Sequence, residues 1–286
     1  NVVYMTTSDA EFRETKNLLE KYVKDTSMQS HEGHVYSIQS TKDGLDLIRI
    51  GMVNIPLIRE NYSEEVLKAY DKIVEDLKSE SPTGRIAILD GPPGSGKTYI
   101  CRSLLQELDN ALCVLVPPKL VNKLGDPSFV PLLMEYKEEH DTDQPIILFL
   151  EDADTVLTPR SKTNMDSITS ALNMGDGIFG DIFNIRIIAT TNAKLETLEP
   201  ALLRPGRLSA HVTVGKLDSK QCKLIFSRLL PALELTEEIL KELHAELTLA
   251  EVYGIARKYG WKPVSDKKPK IIKQTMPWDG DDGSDW

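Results

Sequence analysis

Asp90-Gly91-Pro92-Pro93-Gly94-Ser95-Gly96-Lys97-Thr98 fits the pattern G-x-x-x-x-G-K-[ST] between an apolar run and a helical one, and its reading decides the fold. Gly91, Gly94 and Gly96 let the backbone curl so that its N–H groups turn inward toward phosphate oxygens. Lys97 adds a mobile positive charge for the β- and γ-phosphates, and the Thr98 hydroxyl is placed to ligate Mg²⁺. Upstream, Arg85-Ile86-Ala87-Ile88-Leu89 suits a buried parallel strand. Downstream, residues 99–108 have helical spacing, and a helix there aims the positive end of its dipole at the same anion. The expected binding residues are therefore Gly91, Pro92, Pro93, Gly94, Ser95, Gly96, Lys97, Thr98 and Tyr99.

Strand-like apolar runs recur at 111–116, 146–150 and 185–190, with helical patterns between them. That alternation predicts an α/β fold, a doubly wound parallel sheet covered on both faces. Ahead of it, Ile55-Pro56-Leu57-Ile58 reads as an extended linker, and Ser63 opens a helix with Val66, Tyr70, Ile73, Val74 and Leu77 on one face. Past Gly215 the pattern is helical only: Asp218 caps one helix, Thr236 a second, and Thr248 with Glu251 forms a capping box for a third. The domain reading is thus an accessory region at 1–55, a nucleotide-binding α/β domain at 56–216, a small helical lid at 217–263 and a flexible acidic tail at 264–286. Within the accessory region, Ser8 and Glu11 cap a helix carrying Phe12, Leu19, Tyr22 and Val23. A hairpin signal follows, with 34–39 and 45–50 flanking Asp43-Gly44, and this small region is expected to pack on the core or on a neighbouring subunit.

Composition narrows the function. Of 286 residues, 41% are hydrophobic and 27% charged, the balance of a soluble globular chain. No apolar run approaches the roughly 18 residues of a membrane span. The expectation is a soluble, cytoplasmic protein with no membrane partner. The 3 cysteines, Cys101, Cys113 and Cys222, are far apart in apolar or helical settings and read as structural thiols in a reducing compartment. A net charge of −10 argues against a general nucleic-acid surface.

Two further stretches carry chemistry. Ile146-Ile147-Leu148-Phe149-Leu150 ends in Glu151-Asp152, and strand C-termini in a doubly wound sheet converge on the ligand crevice. One acid would hold hydrated Mg²⁺, and the other would orient and deprotonate an attacking water. The next strand ends in Ala189-Thr190-Thr191-Asn192, where Asn192 could hydrogen-bond the γ-phosphate or the water. Then comes Leu198-Glu199-Pro200-Ala201-Leu202-Leu203-Arg204-Pro205-Gly206-Arg207, whose two arginines suit insertion into a neighbour's site.

These motifs, in this order and spacing, resemble an AAA ATPase over residues 56–262. Within that superfamily, the 169–177 stretch, the Glu-Asp order and Leu249-Ala250-Glu251-Val252-Tyr253-Gly254 look most like the subgroup of the mitochondrial Rieske-protein translocase ATPase, without its membrane anchor. The resemblance implies ATP bound by 91–98 and Mg²⁺ held through Thr98 and Glu151. It implies water activated by Asp152, Asn192 as sensor, and Arg204 and Arg207 reaching the adjacent subunit's γ-phosphate. It also implies a homo-oligomeric ring of about six or seven subunits, since fingers acting in trans need a neighbour. Three departures stand out. Most AAA proteins carry Asp then Glu, so the shorter Asp152 must reach the water. The pore stretch near Lys123-Leu124-Gly125 lacks an aromatic residue, with Phe129 offset. Residues 249–254 lack a sensor arginine, and Arg257 is a candidate substitute that does not match the family's position.

The reading that follows is a ring-forming ATPase remodelling or translocating a protein partner. Alternatives are a slow-hydrolysing assembly switch and a nucleic-acid-associated loader. A small-molecule kinase would need neither the paired arginines nor the helical lid.

Overall fold

The computed structural model describes residues 34–42, 44–53, 55–108, 111–125, 128–140, 144–157, 183–198, 200, 206–244 and 246–263. The helix expected after Ser8, the 169–177 stretch, Arg204 and the tail lie outside them. In chain order the elements are β1 (His34–Ser40), β2 (Leu45–Met52), α1 (Glu64–Lys78), β3 (Ile86–Asp90), α2 (Lys97–Gln106), β4 (Leu112–Leu115) and α3 (Phe129–His140). They continue with β5 (Ile146–Leu150), α4 (Asp154–Leu157), β6 (Ile185–Thr191), β7 (Leu208–Thr213), α5 (Ser219–Leu229), α6 (Glu237–Glu242) and α7 (Leu249–Lys258).

Every residue of β3, β5 and β6 is buried, as strands covered on both faces require. The pleat divides their side chains between two apolar layers. Ala87, Leu89, Ile147, Phe149 and Ile188 face one layer, closed by α1, α2 and the C-terminal helices. Ile86, Ile88, Ile146, Leu148 and Ile187 face the other. The strands form one 7-stranded sheet in the order β2-β1-β4-β5-β6-β3-β7, parallel except for the antiparallel β1–β2 hairpin. The hairpin is thus part of the sheet, with Val35, Tyr36 and Ser37 of β1 in parallel register with Cys113, Val114 and Leu115 of β4. The α/β parallel-sheet expectation holds. The order also sets β5, β6 and β3 side by side, so whatever follows their C-termini meets in one place.

Helix starts follow local chemistry. Ser63 accepts from the Val66 N–H, Asp218 from Gln221 and Thr236 from Ile239, while Thr248 and Glu251 cap each other's backbone reciprocally. The three C-terminal helices form the small unit that follows the sheet, tied at its base by the Leu217–Leu247 bridge. Cys101, Cys113 and Cys222 are buried and free, and burial pushes all three thiols up in pKa.

One buried cation ties helix to sheet. Arg186 on β6 is 2% exposed and donates to the carbonyls of Asp76 and Ser79 at the end of α1, and to Asn184 Oδ1 at 3.1 Å. It therefore supplies the C-terminal cap that α1 lacks in its own sequence. Burial pushes its pKa down to about 10, which still leaves it protonated at neutral pH. Arg186→Met keeps most of the volume and orphans two buried carbonyls. We expect a loss of about 3 kcal/mol, read as a Tm lower by roughly 6–12 °C in calorimetry. An unchanged Tm would contradict this assignment.

Candidate active site

The chain leaves β3 at Asp90 and turns at Gly91, where φ is 142°. A Cβ at Gly91 would stand 2.2 Å from the Val214 carbonyl oxygen, and Val214 N–H donates to the Asp90 carbonyl at 2.7 Å. The start of the loop is thus wedged against the end of β7, and only glycine fits. At Gly96, with φ 104°, a Cβ would meet the Tyr62 hydroxyl at 2.8 Å; that hydroxyl donates to the Gly96 carbonyl at 3.1 Å. Left-handed Gly96 lets α2 begin directly at Lys97, two residues earlier than the periodicity predicts.

Lys97 is 6% exposed and turned inward, its Nζ donating to the carbonyls of Gly91 (2.7 Å) and Pro92 (3.0 Å) and to Asn192 Oδ1 (2.9 Å). Burial lowers its pKa, while the carboxylates of Asp152, Asp154 and Asp90 pull it the other way. Ser95 lies beside it in the loop, and its buried hydroxyl has no hydrogen-bond partner among the described residues. An ammonium held by neutral carbonyls beside an unpaired hydroxyl is a receptor for an anion, because phosphate oxygens would satisfy both.

The acids after β5 separate. Glu151 is half-buried; burial raises its pKa, Asp152 adds to that, and Arg102 and a hydrogen bond from Thr98 oppose it. The two expected metal-binding residues, Thr98 and Glu151, are therefore in contact. Asp152 is exposed, with φ 49°, and its N–H donates to Thr190 Oγ1 at 3.1 Å. This uncommon left-handed conformation turns the chain so that Asp152, and not Glu151, lines the large cavity beside the loop.

Asn192 follows β6 and lines the same cavity. Its turn is held by Asp154, which accepts from Thr191 Oγ1 (2.6 Å), Asn192 N (2.6 Å), Ala193 N (2.9 Å) and Asn192 Nδ2 (3.2 Å). Burial would raise the Asp154 pKa, but these hydrogen bonds outweigh it and hold the carboxyl below its usual value. Arg207 is elsewhere. Register pairs Leu208 with Ile86 and Thr213 with Asp90, and the Arg207 carbonyl accepts from the N–H groups of Arg85 and Ile86. It sits about 16 Å from the loop at the opposite end of β3, by the rise of five strand residues.

The cavity of about 1070 Å³ lies between the loop and the C-terminal helices. Its wall includes Tyr99, Leu249, Ala250, Arg228, Arg257 and Trp261. Ala250 N–H at the start of α7 donates to the Gly94 carbonyl at 2.9 Å, so α7 rests on the loop itself. Farther out, Arg228 Nη2 donates to Asn61 Oδ1 and to the Tyr253 hydroxyl (3.2 Å), and Asn61 Nδ2 donates to the same hydroxyl (3.2 Å). Arg257 stacks 5.8 Å over the Trp261 ring. The stretch expected near 123–125 to line a pore, already without an aromatic residue, gains none from Phe129, which is fully buried in the second apolar layer, as is Leu124.

The donor set suits Mg²⁺. Among the described residues no three His, Cys, Asp or Glu side chains gather as a metal cage. A Thr hydroxyl beside one carboxylate is the sparse oxygen set on which Mg²⁺ relies when substrate phosphates and water complete its shell.

Sequence reasoning missed Asp154, whose signal is the third acid in Glu151-Asp152-Ala153-Asp154. It also missed Tyr62 and the Asn61–Arg228–Tyr253 contacts, for which no local pattern exists.

With this geometry in hand, residues 87–216 match AAA, the "ATPase family associated with various cellular activities". The matched stretch spans the loop, both acids, Asn192 and Arg207, and this likeness supports ATP-driven activity.

Proposed function

We propose, on the premise of that match, that this chain hydrolyses ATP within a homo-oligomeric ring and couples the cycle to remodelling or translocating a protein partner. One observation carries the reading: Lys97, Thr98, Asp152 and Asn192 line one cavity under the lid, while Arg207 is a strand's length away from its own loop. An arginine so placed suits completing a site on another copy. The accessory region, the acidic tail or the pore stretch would supply the contacts to that partner.

In this reading the loop N–H groups and Ser95 take the phosphates, and Lys97 leaves the Gly91 and Pro92 carbonyls for stronger anionic acceptors. Thr98 and Glu151 would hold Mg²⁺, which would supply charge neutralisation for the phosphates. Asp152 accepts a proton from the attacking water, and Asn192 orients that water. Arg207 of the neighbouring copy, with Arg204, offsets charge on the transferring phosphoryl group.

Arg207→Ala should then leave ATP affinity within about twofold and lower kcat by roughly 10²–10³-fold. Equilibrium binding and steady-state phosphate release measure the two separately. An unimpaired kcat would remove the support for trans action. The slow assembly switch gains from one observation, the burial of Phe129 and Leu124, which leaves the expected pore segment without a projecting aromatic. A hydrolysis rate stimulated severalfold by an unfolded polypeptide would count against the switch. The net charge of −10 disfavours the nucleic-acid loader. No helix among the described residues is long and apolar enough to cross a membrane.

A further inference from the structure

We infer that Asp154 is a positioning residue that fixes which face of the Asn192 amide is presented to the substrate; the inference rests on the ATPase reading above. The amide lies between two groups of opposite hydrogen-bonding character. Lys97 Nζ donates to its Oδ1 at 2.9 Å, and its Nδ2 donates to Asp154 Oδ2 at 3.2 Å. An ammonium has no acceptor and a carboxylate no donor, so only one orientation of the amide satisfies both. The reversed amide would set NH₂ against the ammonium and oxygen against the carboxylate. Asp154 Oδ1 meanwhile accepts from Thr191 Oγ1, Asn192 N and Ala193 N, which fixes the backbone from which the amide projects.

The atom turned to Lys97, the cation meant for the phosphates, is therefore an acceptor. Oδ1 itself donates to no γ-phosphate oxygen, so of the two roles that Asn192 could take this atom suits the water-binding one. Before nucleotide arrives, Lys97 occupies Oδ1; once phosphates draw Lys97 away, Oδ1 is released to take an O–H from water. That hydrogen bond leaves a water lone pair for phosphorus. As the water oxygen bonds to Pγ, its other proton passes to Asp152, the bond from Pγ to the bridging oxygen breaks, and ADP leaves with the electron pair. The order is built into the site, since the water acceptor becomes available only after the lysine has found its phosphates.

Asp154→Asn tests this. The introduced amide keeps an acceptor for Thr191, Asn192 N and Ala193 N, but it turns an NH₂ toward Asn192 Nδ2 and favours reversal of the Asn192 amide. The paired exchange Asp154→Asn with Asn192→Asp restores a donor facing an acceptor and again presents an acceptor to the cavity. Steady-state ATP hydrolysis, affinity for a fluorescent ATP analogue and Tm are measured on the full chain. Expected for Asp154→Asn is a kcat lower by about 10²-fold, with analogue affinity within about threefold and a Tm lower by only about a few degrees as charge-assisted hydrogen bonds become neutral ones; the paired exchange should recover about tenfold in kcat over it. Undiminished kcat in Asp154→Asn, or no recovery in the exchange, overturns the inference while leaving the ATPase reading intact. A wild-type chain that hydrolyses no ATP overturns both.

Discussion

Lys97→Ala is expected to weaken ATP binding by at least about 100-fold, roughly 3 kcal/mol, as read by titration calorimetry in the presence of Mg²⁺. The size follows from where the ammonium sits. It is 6% exposed and already desolvated, so most of the cost of placing a charge beside the phosphates is met by the fold. In the nucleotide-free site its partners are two neutral carbonyls and an amide oxygen. Exchanging them for anionic oxygens replaces hydrogen bonds charged on the donor side alone with full ion pairs. The same truncation removes two hydrogen bonds within the loop and one to Asn192, so the variant's Tm should be measured beside its affinity. Unchanged ATP affinity in a folded variant would remove the phosphate-loop assignment.

Asp152→Asn is expected to lower kcat by about 10²–10⁴-fold while ATP still binds, with single-turnover hydrolysis as the readout. Asp152 and Glu151 are adjacent in sequence but not equivalent in space. Glu151 is half-buried against Thr98, whereas the left-handed backbone at Asp152 carries its carboxylate to the cavity where a water could stand. Asn accepts a hydrogen bond but takes no proton, so the substitution removes the base and little volume. A variant hydrolysing at the wild-type rate would pass the role of base to Glu151.

Much of this site was legible because its chemistry is local. The glycine spacing, the Ser63, Asp218, Thr236 and Thr248 caps and the β1–β2 hairpin each depend on residues a few positions apart, and all are present. The meeting of Glu151, Asp152 and Asn192 beside the loop followed from a general property of parallel sheets, and the adjacency of β5, β6 and β3 provides it. What was hidden depends on pairings across the fold. Arg186 reaches back to the end of α1, Arg228 to Asn61, and Asp76 accepts from Thr83 and Ser209, with no periodicity to announce any of them. Gly84 is another case, because a Cβ there would meet the Leu208 backbone at 2.4 Å, a neighbour unknown until β7 is placed. Phe129 was weighed as a pore residue by its nearness in sequence, and burial in the second apolar layer decided otherwise.

The central claim is that ATP assembles copies of this chain so that one supplies arginines to the next. Its most direct test is the particle mass, by light scattering, of Asp152→Asn with ATP and Mg²⁺ against the same protein without nucleotide. The account predicts a closed assembly of about six or seven copies with ATP and a smaller species without it. A monomer under both conditions, with ATP shown to be bound, would contradict it.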